Sequence, residues 1–361
     1  KRTALADFRA QKRGGKGLQG MSTKDEDVVT TLFVANTHTQ LLFFTTDGMA
    51  YKIKTWRLPL GGRTAKGKAI VNILPIPAGV SVAAIMPVDR EEAEWGDLQI
   101  VFATTQGDVR RNRLSDFTNV RSNGKIAMKL PEGVELVNAR ICSEDDDVML
   151  TTNSGRAIRF ASTDLRVMNS RASTGVRGIR LNGDDMVVSM SVIRHFEATP
   201  EERAAYLKMR RAMAGLTDEE AGEDDVPADP NFSQERYEEM AAVENLILTI
   251  TRGGSGKLSS SHDYPVRGRG GMGVAAMDKA MRGGPVVASF PVELVDQIML
   301  VTSTGQSIRC PIDGISFRSR NAGGVRVFNT SRDEQVVSVA YIPDQGDGEE
   351  GPEDPASETQ S

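Results

Sequence analysis

Leu41-Leu42-Phe43-Phe44-Thr45-Thr46-Asp47-Gly48 is an apolar run that stops at a threonine-rich turn holding a glycine, and the arrangement returns along the chain. The later turns read Thr104-Thr105-Gln106-Gly107, Thr152-Asn153-Ser154-Gly155, Thr251-Arg252-Gly253-Gly254 and Thr302-Ser303-Thr304-Gly305. Short apolar runs bounded by turn residues predict strands, and the glycine supplies the positive φ of a tight hairpin. Four residues past the turn glycine stands a cation: Lys52, Arg111, Arg159, Lys257 and Arg309, with Gly253 taken as the fourth turn glycine to keep that step.

A second glycine-and-cation cluster follows each hairpin: Gly67-Lys68, Gly124-Lys125, Gly175-Val176-Arg177, Arg269-Gly270-Gly271 and Gly323-Gly324-Val325-Arg326. Each unit then closes on a strand-like run, at 80–86, 134–141, 186–193, 285–292 and 336–342. The turn glycines at 48, 107, 155, 253 and 305 recur about every 50 residues, apart from one long step that holds an insertion. A period of that size with four strands per unit predicts an all-β, propeller-like array, because one unit cannot bury both its faces alone.

The front of the chain adds a sixth unit. Gln11-Lys12-Arg13-Gly14-Gly15-Lys16-Gly17 matches a second cluster, and residues 27–35 match a closing strand. Lys1 stands 15 residues before Lys16, within the spacing of the paired cations elsewhere, and is expected just past a first hairpin turn. The start has neither an initiator Met nor the apolar core of a signal peptide, and reads as the cut edge of a longer protein. The expected domain is 1–193 with 245–343, interrupted by an acidic helical insertion at 194–244 and followed by an acidic, disordered tail at 344–361.

Charge is segregated. The chain carries net −5, yet residues 195–245 hold fourteen acidic against five basic residues, and 344–361 hold seven acidic and no basic ones. What remains is a body of net +11, which suits a polyanionic partner. Inside the insertion, Thr199-Pro200-Glu201-Glu202 predicts a helix start, Gly215 a stop, and 233–244 a second helix. The insertion is expected as a surface excursion, and as a competitor for the polyanion.

Chemistry-bearing constellations are few. Gly62-Arg63-Thr64-Ala65-Lys66-Gly67-Lys68-Ala69 nearly fits a phosphate-binding loop, but Ala69 replaces the hydroxyl that would hold Mg²⁺ and a strand pattern, 70–76, follows. Glu144-Asp145-Asp146-Asp147 reads as a solvated loop. Cys142 and Cys310, the only cysteines, form no disulfide framework and suit a reducing cytoplasm; His38, His195 and His262 stand in unlike contexts. No nucleophile–base pair, paired carboxylate or metal cluster emerges, and no apolar run is long enough to span a membrane. Binding is expected, without catalysis, cofactor or metal in this stretch.

The basic loops carry the positive expectation. Lys and Arg neutralise phosphates and release counterions. Lys52, Lys66, Lys68, Arg111, Arg121, Lys125, Arg159, Arg171, Arg177, Lys257, Arg267, Arg269, Arg309, Arg318, Arg320 and Arg326 fall on corresponding parts of the units and predict a belt around a rim. Aromatics are only 5% and do not punctuate these loops, which favours duplex over stacked single strands.

The segment Gln11-Lys12-Arg13-Gly14-Gly15-Lys16-Gly17 resembles the glutamine–basic–arginine–Gly-Gly-Lys-Gly box of the C-terminal domain of the DNA gyrase A protein. Leu32-Phe33-Val34-Ala35-Asn36-Thr37-His38, Ile70-Val71-Asn72-Ile73-Leu74-Pro75 and Thr174-Gly175-Val176-Arg177-Gly178-Ile179-Arg180-Leu181 are similar to the same domain. The resemblance implies a six-bladed β-pinwheel whose blades exchange strands. It also implies duplex DNA wrapped in a positive sense around the rim, with the box, Gln11, Lys12, Arg13, Gly14, Gly15, Lys16 and Gly17, securing the wrap. The cleaving tyrosine would belong to the upstream cleavage core of gyrase A, and ATP and Mg²⁺ to a heterotetramer with gyrase B, all cytoplasmic. Lys12 departs from the arginine common there and loses bidentate phosphate geometry. A topoisomerase IV equivalent and a protein-binding propeller remain the alternatives.

Overall fold

Alternate residues of one strand bury into two different cores, and this dictates the architecture. In Gln99–Thr104, Ile100 and Phe102 pack with Leu42, Phe44 and Trp95, while Val101 and Ala103 pack with Val148, Leu150 and Phe160. A strand buried on both faces must lie in a sheet sandwiched between two others, which explains its continuous apolar run. Edge-on rings seal the first of these interfaces: the Phe44 centroid lies 5.3 Å from Phe102 and 5.5 Å from Phe117.

The computed structural model describes residues 1–4, 33–62, 65–169, 173–216, 226–278, 283–304, 307–330 and 334–343. The first complete unit supplies β1 (Gln40–Thr45), β2 (Met49–Lys54) and β3 (Val82–Val88). The second supplies β4 (Gln99–Thr104), β5 (Asp108–Arg113), β6 (Lys125–Ile126) and β7 (Leu136–Cys142). The third holds β8 (Asp146–Thr152), β9 (Arg156–Ala161), β10 (Val176–Arg177) and β11 (Val187–Arg194). After helices α1 (Pro200–Met213) and α2 (Gln234–Ala242), the fourth holds β12 (Leu246–Thr251), β13 (Ser255–Ser260), β14 (Val274–Ala275) and β15 (Val286–Val292). The fifth holds β16 (Gln297–Thr302), β17 (Ser307–Pro311), β18 (Val325–Arg326) and β19 (Val336–Ile342).

Units and sheets are not the same thing. The antiparallel sheets run β3-β1-β2-β6, β7-β4-β5-β10, β11-β8-β9-β14, β15-β12-β13-β18 and β19-β16-β17. Each four-stranded sheet takes its outermost strand from the next unit. That exchange makes the fold a pinwheel rather than a row of independent blades. Among the described residues the last sheet has three strands, and β17 is its edge.

The exchange is pinned at the hairpin turns. The carbonyl of Gly107 accepts from the N–H groups of Gly178 and Ile179, and that of Gly254 from Val327 and Phe328. Gly107 has φ +81°, and a Cβ on it would press into the Ile179 side chain at 2.7 Å. Turn chemistry and contact with the next unit therefore both demand glycine there. The fourth turn glycine is Gly254, φ +79°, and not Gly253: its N–H returns to Thr251 as Gly48 returns to Thr45. The register of that unit therefore moves by one from the expected one.

Two further expectations change. Residues 70–76 form a short 3-10 turn at Ile70–Asn72 in place of a strand, with Leu74 and Ile76 buried against Tyr51 and its neighbours. Arg2, and not Lys1, stands where Arg111 and Arg159 stand: Arg2 bridges Leu60 as Arg111 bridges Val167 and Arg159 bridges Val266.

Candidate nucleic-acid interface

In each unit a short 3-10 turn follows the second strand, as at Ser162–Asp164, Ser261–Asp263 and Ile312–Gly314. The chain then runs alongside the outer edge of the preceding sheet before entering the exchanged strand. Val167 pairs in parallel with Arg111 of β5, Val266 with Arg159 of β9, and Phe317 with Leu258 of β13. One register position follows each of these pairs, where the N–H groups of Met168, Arg267 and Arg318 donate to the carbonyls of Arg111, Arg159 and Leu258. The basic loops thus lie at the perimeter because the strand exchange lays them there.

The perimeter sorts the expected cations into three groups. Lys66, Lys68, Arg121, Arg177, Arg267, Arg269, Arg309 and Arg326 are exposed, and Lys125 and Arg318 are half-buried. Arg269 reaches across to the carbonyls of Asp164 and Arg177, tying the perimeter loops of units three and four. An open cleft of about 590 Å³ lies in the second unit's loop, lined by Thr118, Asn119, Val120, Arg121, Gly124 and Lys125. Arg171 and the box at 11–17 fall outside the described residues.

The third group corrects the expectation. Arg111, Arg159, Lys257 and Arg320 are buried and Lys52 is half-buried; all five staple one unit to the next. The Lys52 ammonium donates to the Thr118 carbonyl and pairs with Glu92 at 2.7 Å. Arg111 points to the Ser162 hydroxyl at 3.4 Å, and Arg159 donates to the Ser261 carbonyl at 2.8 Å. All three reach the 3-10 turn of the following unit or the residue that ends it. Alternation along a strand leaves a residue at this register no route to solvent once the next unit covers it.

Lys257 lies on the opposite face of its strand, a consequence of the shifted turn. It pairs with Thr249, a position matched by Arg110 opposite Phe102. Its ammonium donates to the carbonyls of Ser319, Arg320 and Ala322. Burial pulls its pKa down to about 7, and the Asp263 carboxylate opposes that shift. Arg320 is likewise consumed: its backbone N–H donates to the Asp263 carboxylate and its guanidinium to the carbonyls of Asp263 and Ala275.

The glycines of the second clusters have a packing role. Residue 175, φ +89°, lies where a Cβ would strike the Val109 carbonyl, and a Cβ on residue 324 would meet the Gly256 backbone at 2.8 Å. These glycines let the exchanged strand lie close on its host sheet. Conversely, Arg166 and Arg180, both exposed, escape a rule that looks only for a cation beside glycine. Their signal is position, since they bracket the third unit's perimeter loop.

The acidic run at 144–147 is not simply solvated. Asp147 is fully buried, 2.7 Å from Arg159 and 2.8 Å from His195 Nδ1. The hydrogen bond to Glu197, then that to Asp147, holds the His195 pKa above its ordinary value. His262 is buried too, its Nε2 against the Met240 carbonyl. Among the described residues no group of His, Cys, Asp and Glu is placed to hold a metal, and no helix is long and apolar enough to cross a membrane.

A family model described as the DNA gyrase C-terminal domain, beta-propeller, matches residues 1–36, 39–89, 99–143, 146–194, 245–290 and 296–343. The chain belongs to the DNA gyrase C-terminal domain family. The DNA gyrase A protein of Granulibacter bethesdensis is 47% identical over 94% of this chain, and that of Rickettsia bellii 42% identical over 97%. The chain spans 38% and 39% of those two proteins. A solved gyrase A C-terminal domain superposes with TM-score 0.63 at 21% identity, covering 94% of each chain. A topoisomerase IV C-terminal domain gives 0.69 at 19%, covering 95% of this chain and 90% of that one. These likenesses are of fold. The six stretches matched to the gyrase family omit the residues of the helical insertion.

Proposed function

We propose that this domain binds duplex DNA through its perimeter loops and wraps it in a positive sense, enabling a gyrase to introduce negative supercoils. The observation that carries the reading is the laying of each unit's basic loop along the preceding sheet's outer edge. Exposed cations, among them Lys68, Arg121, Arg177, Arg267 and Arg326, recur from unit to unit along these loops. They suit phosphate contacts that carry no base code, and a duplex following them must bend, which favours deformable sequence. The same reading places DNA cleavage in the upstream core of gyrase A, and ATP and Mg²⁺ chemistry with gyrase B, in a cytoplasmic complex.

The test is topological. Relaxed circles closed by ligase on saturating protein are expected to retain positive writhe; circles that come out unshifted would remove wrapping. Alanine replacement of Gln11 to Gly17 is expected to spare much of the affinity and to abolish supercoiling by the full enzyme. Unchanged supercoiling would sink the role of the box.

A further inference from the structure

The insertion is not the loose excursion that its composition suggests. Its α1 opens with a complete capping box, in which the Thr199 hydroxyl accepts from the Glu202 N–H and the Glu202 carboxylate accepts from the Thr199 N–H. Tyr206 stacks on Tyr237 at 4.9 Å and meets the buried His262 ring at the same distance. His262 lies in the 3-10 turn that leads into the perimeter loop carrying Arg267 and Arg269. One turn further along the same face, α1 places the Arg210 guanidinium 4.6 Å from the Phe317 ring, in the next perimeter loop and adjacent to Arg318. The insertion therefore joins two successive stretches of the belt.

Its acidity is also unevenly placed. Within α1 there are four cations, Arg203, Lys208, Arg210 and Arg211, against Glu201 and Glu202. Glu202 is taken by Arg236 of α2, and Arg210 pairs with Glu244. Lys208 is exposed, and Arg211 is half-buried with an Nε that is closed to solvent and meets no acceptor. A helical wheel puts both on the side away from the buried Tyr206. They stand on a helix fixed to the perimeter, at the junction where Lys257 and Arg320 have been drawn inward.

We infer that α1 is a further DNA-contacting element, presenting Lys208 and Arg211 to backbone phosphates where the duplex passes from the fourth unit's loop to the fifth's. The inference rests on the perimeter reading above and reverses the competitor role expected for this segment. Two added phosphate contacts raise the salt dependence of binding by about 0.9 each on a log–log scale.

The experiment measures affinity of the whole chain for mixed-sequence duplex DNA across a salt series. Wild type is compared with Lys208→Gln/Arg211→Gln, with Lys208→Gln, Lys208→Glu and Lys208→Arg alone, and with Arg177→Gln/Arg326→Gln as the perimeter control. The slope of the α1 double variant is expected to fall by about 2 units, with affinity lower on the order of tenfold near 0.1 M salt. Lys208→Glu is expected to lose more affinity than Lys208→Gln, and Lys208→Arg to restore it, at unchanged thermal unfolding. Wild-type slope and affinity in the α1 variants, with a loss in the perimeter control, would overturn the inference alone. No loss in any variant would overturn the perimeter reading with it. Tighter binding by the α1 variants would restore the competitor role.

Discussion

The Arg159 guanidinium donates to the Asp147 carboxylate at 2.7 Å with both groups closed to solvent, and the same guanidinium reaches the Ser261 carbonyl of the next unit. A residue that composition assigns to a DNA-binding rim is thus a structural staple between two blades.

Removing Arg159 leaves the Asp147 charge buried with His195 as its remaining ionic partner. Arg159→Ala is expected to cost about 3–5 kcal/mol in urea unfolding. At temperatures where the variant is folded, the salt dependence of its DNA binding is expected to match wild type. A stability loss under about 1 kcal/mol, or a shallower salt slope, would return Arg159 to the rim.

His195 makes stability depend on pH. Its folded-state pKa is raised by the hydrogen bonds to Glu197 and Asp147. A raised pKa means that the folded state holds its proton more tightly, so the contribution is full below the ordinary value near 6.5. It is lost as pH rises through the higher folded value. Thermal unfolding is followed from pH 5.5 to 8.5 in wild type and in His195→Gln. Buried Lys257, its pKa lowered to about 7, adds a slope of the opposite sign in wild type and variant alike, so the His195 contribution is read as the difference between the wild-type and His195→Gln profiles, which is expected to shrink as pH rises.

Gly107→Ala tests the clamp between a hairpin turn and the next unit. The substitution combines a left-handed backbone, φ +81°, with a Cβ driven against Ile179. Backbone strain of about 1–2 kcal/mol adds to an overpacking cost of about 1–3 kcal/mol. Gly79→Ala, with a similar φ of +80° and open space around it, is expected to show the strain alone. Equal losses in both variants would mean that the neighbouring unit does not press on the turn.

The exposed perimeter cations are expected to act separately and additively on DNA binding. Lys68→Gln, Arg121→Gln, Arg177→Gln and Arg326→Gln should each lower the salt slope by about 0.9 and weaken all sequences alike. Their unfolding temperatures should stay at the wild-type value, in contrast to Lys257→Gln, which strips three carbonyls of their donor. A sequence-dependent loss would point to base contacts at the perimeter.

The sequence by itself determined the repeating unit, its hairpin and the all-β class. Those depend on local chemistry: a period-2 strand needs β-formers, and a tight turn needs glycine at positive φ. The capping Thr199 and the stop at Gly215, φ +70°, were legible for the same reason. Tertiary structure alone decided which cations face solvent. Lys257 and Arg326 look alike in a list of basic residues, yet one is buried against three backbone carbonyls and the other is exposed. The turn register, Gly254 in place of Gly253, decides only which carbonyls Lys257 meets, because each step along a strand sends the side chain to the opposite face and Arg111 and Arg159 at the other register are buried too. The burial itself depends on strand exchange, because a neighbour contributed by the next unit, some 60 residues away for Lys257 and Ser319, leaves no periodic trace in the strand that it covers.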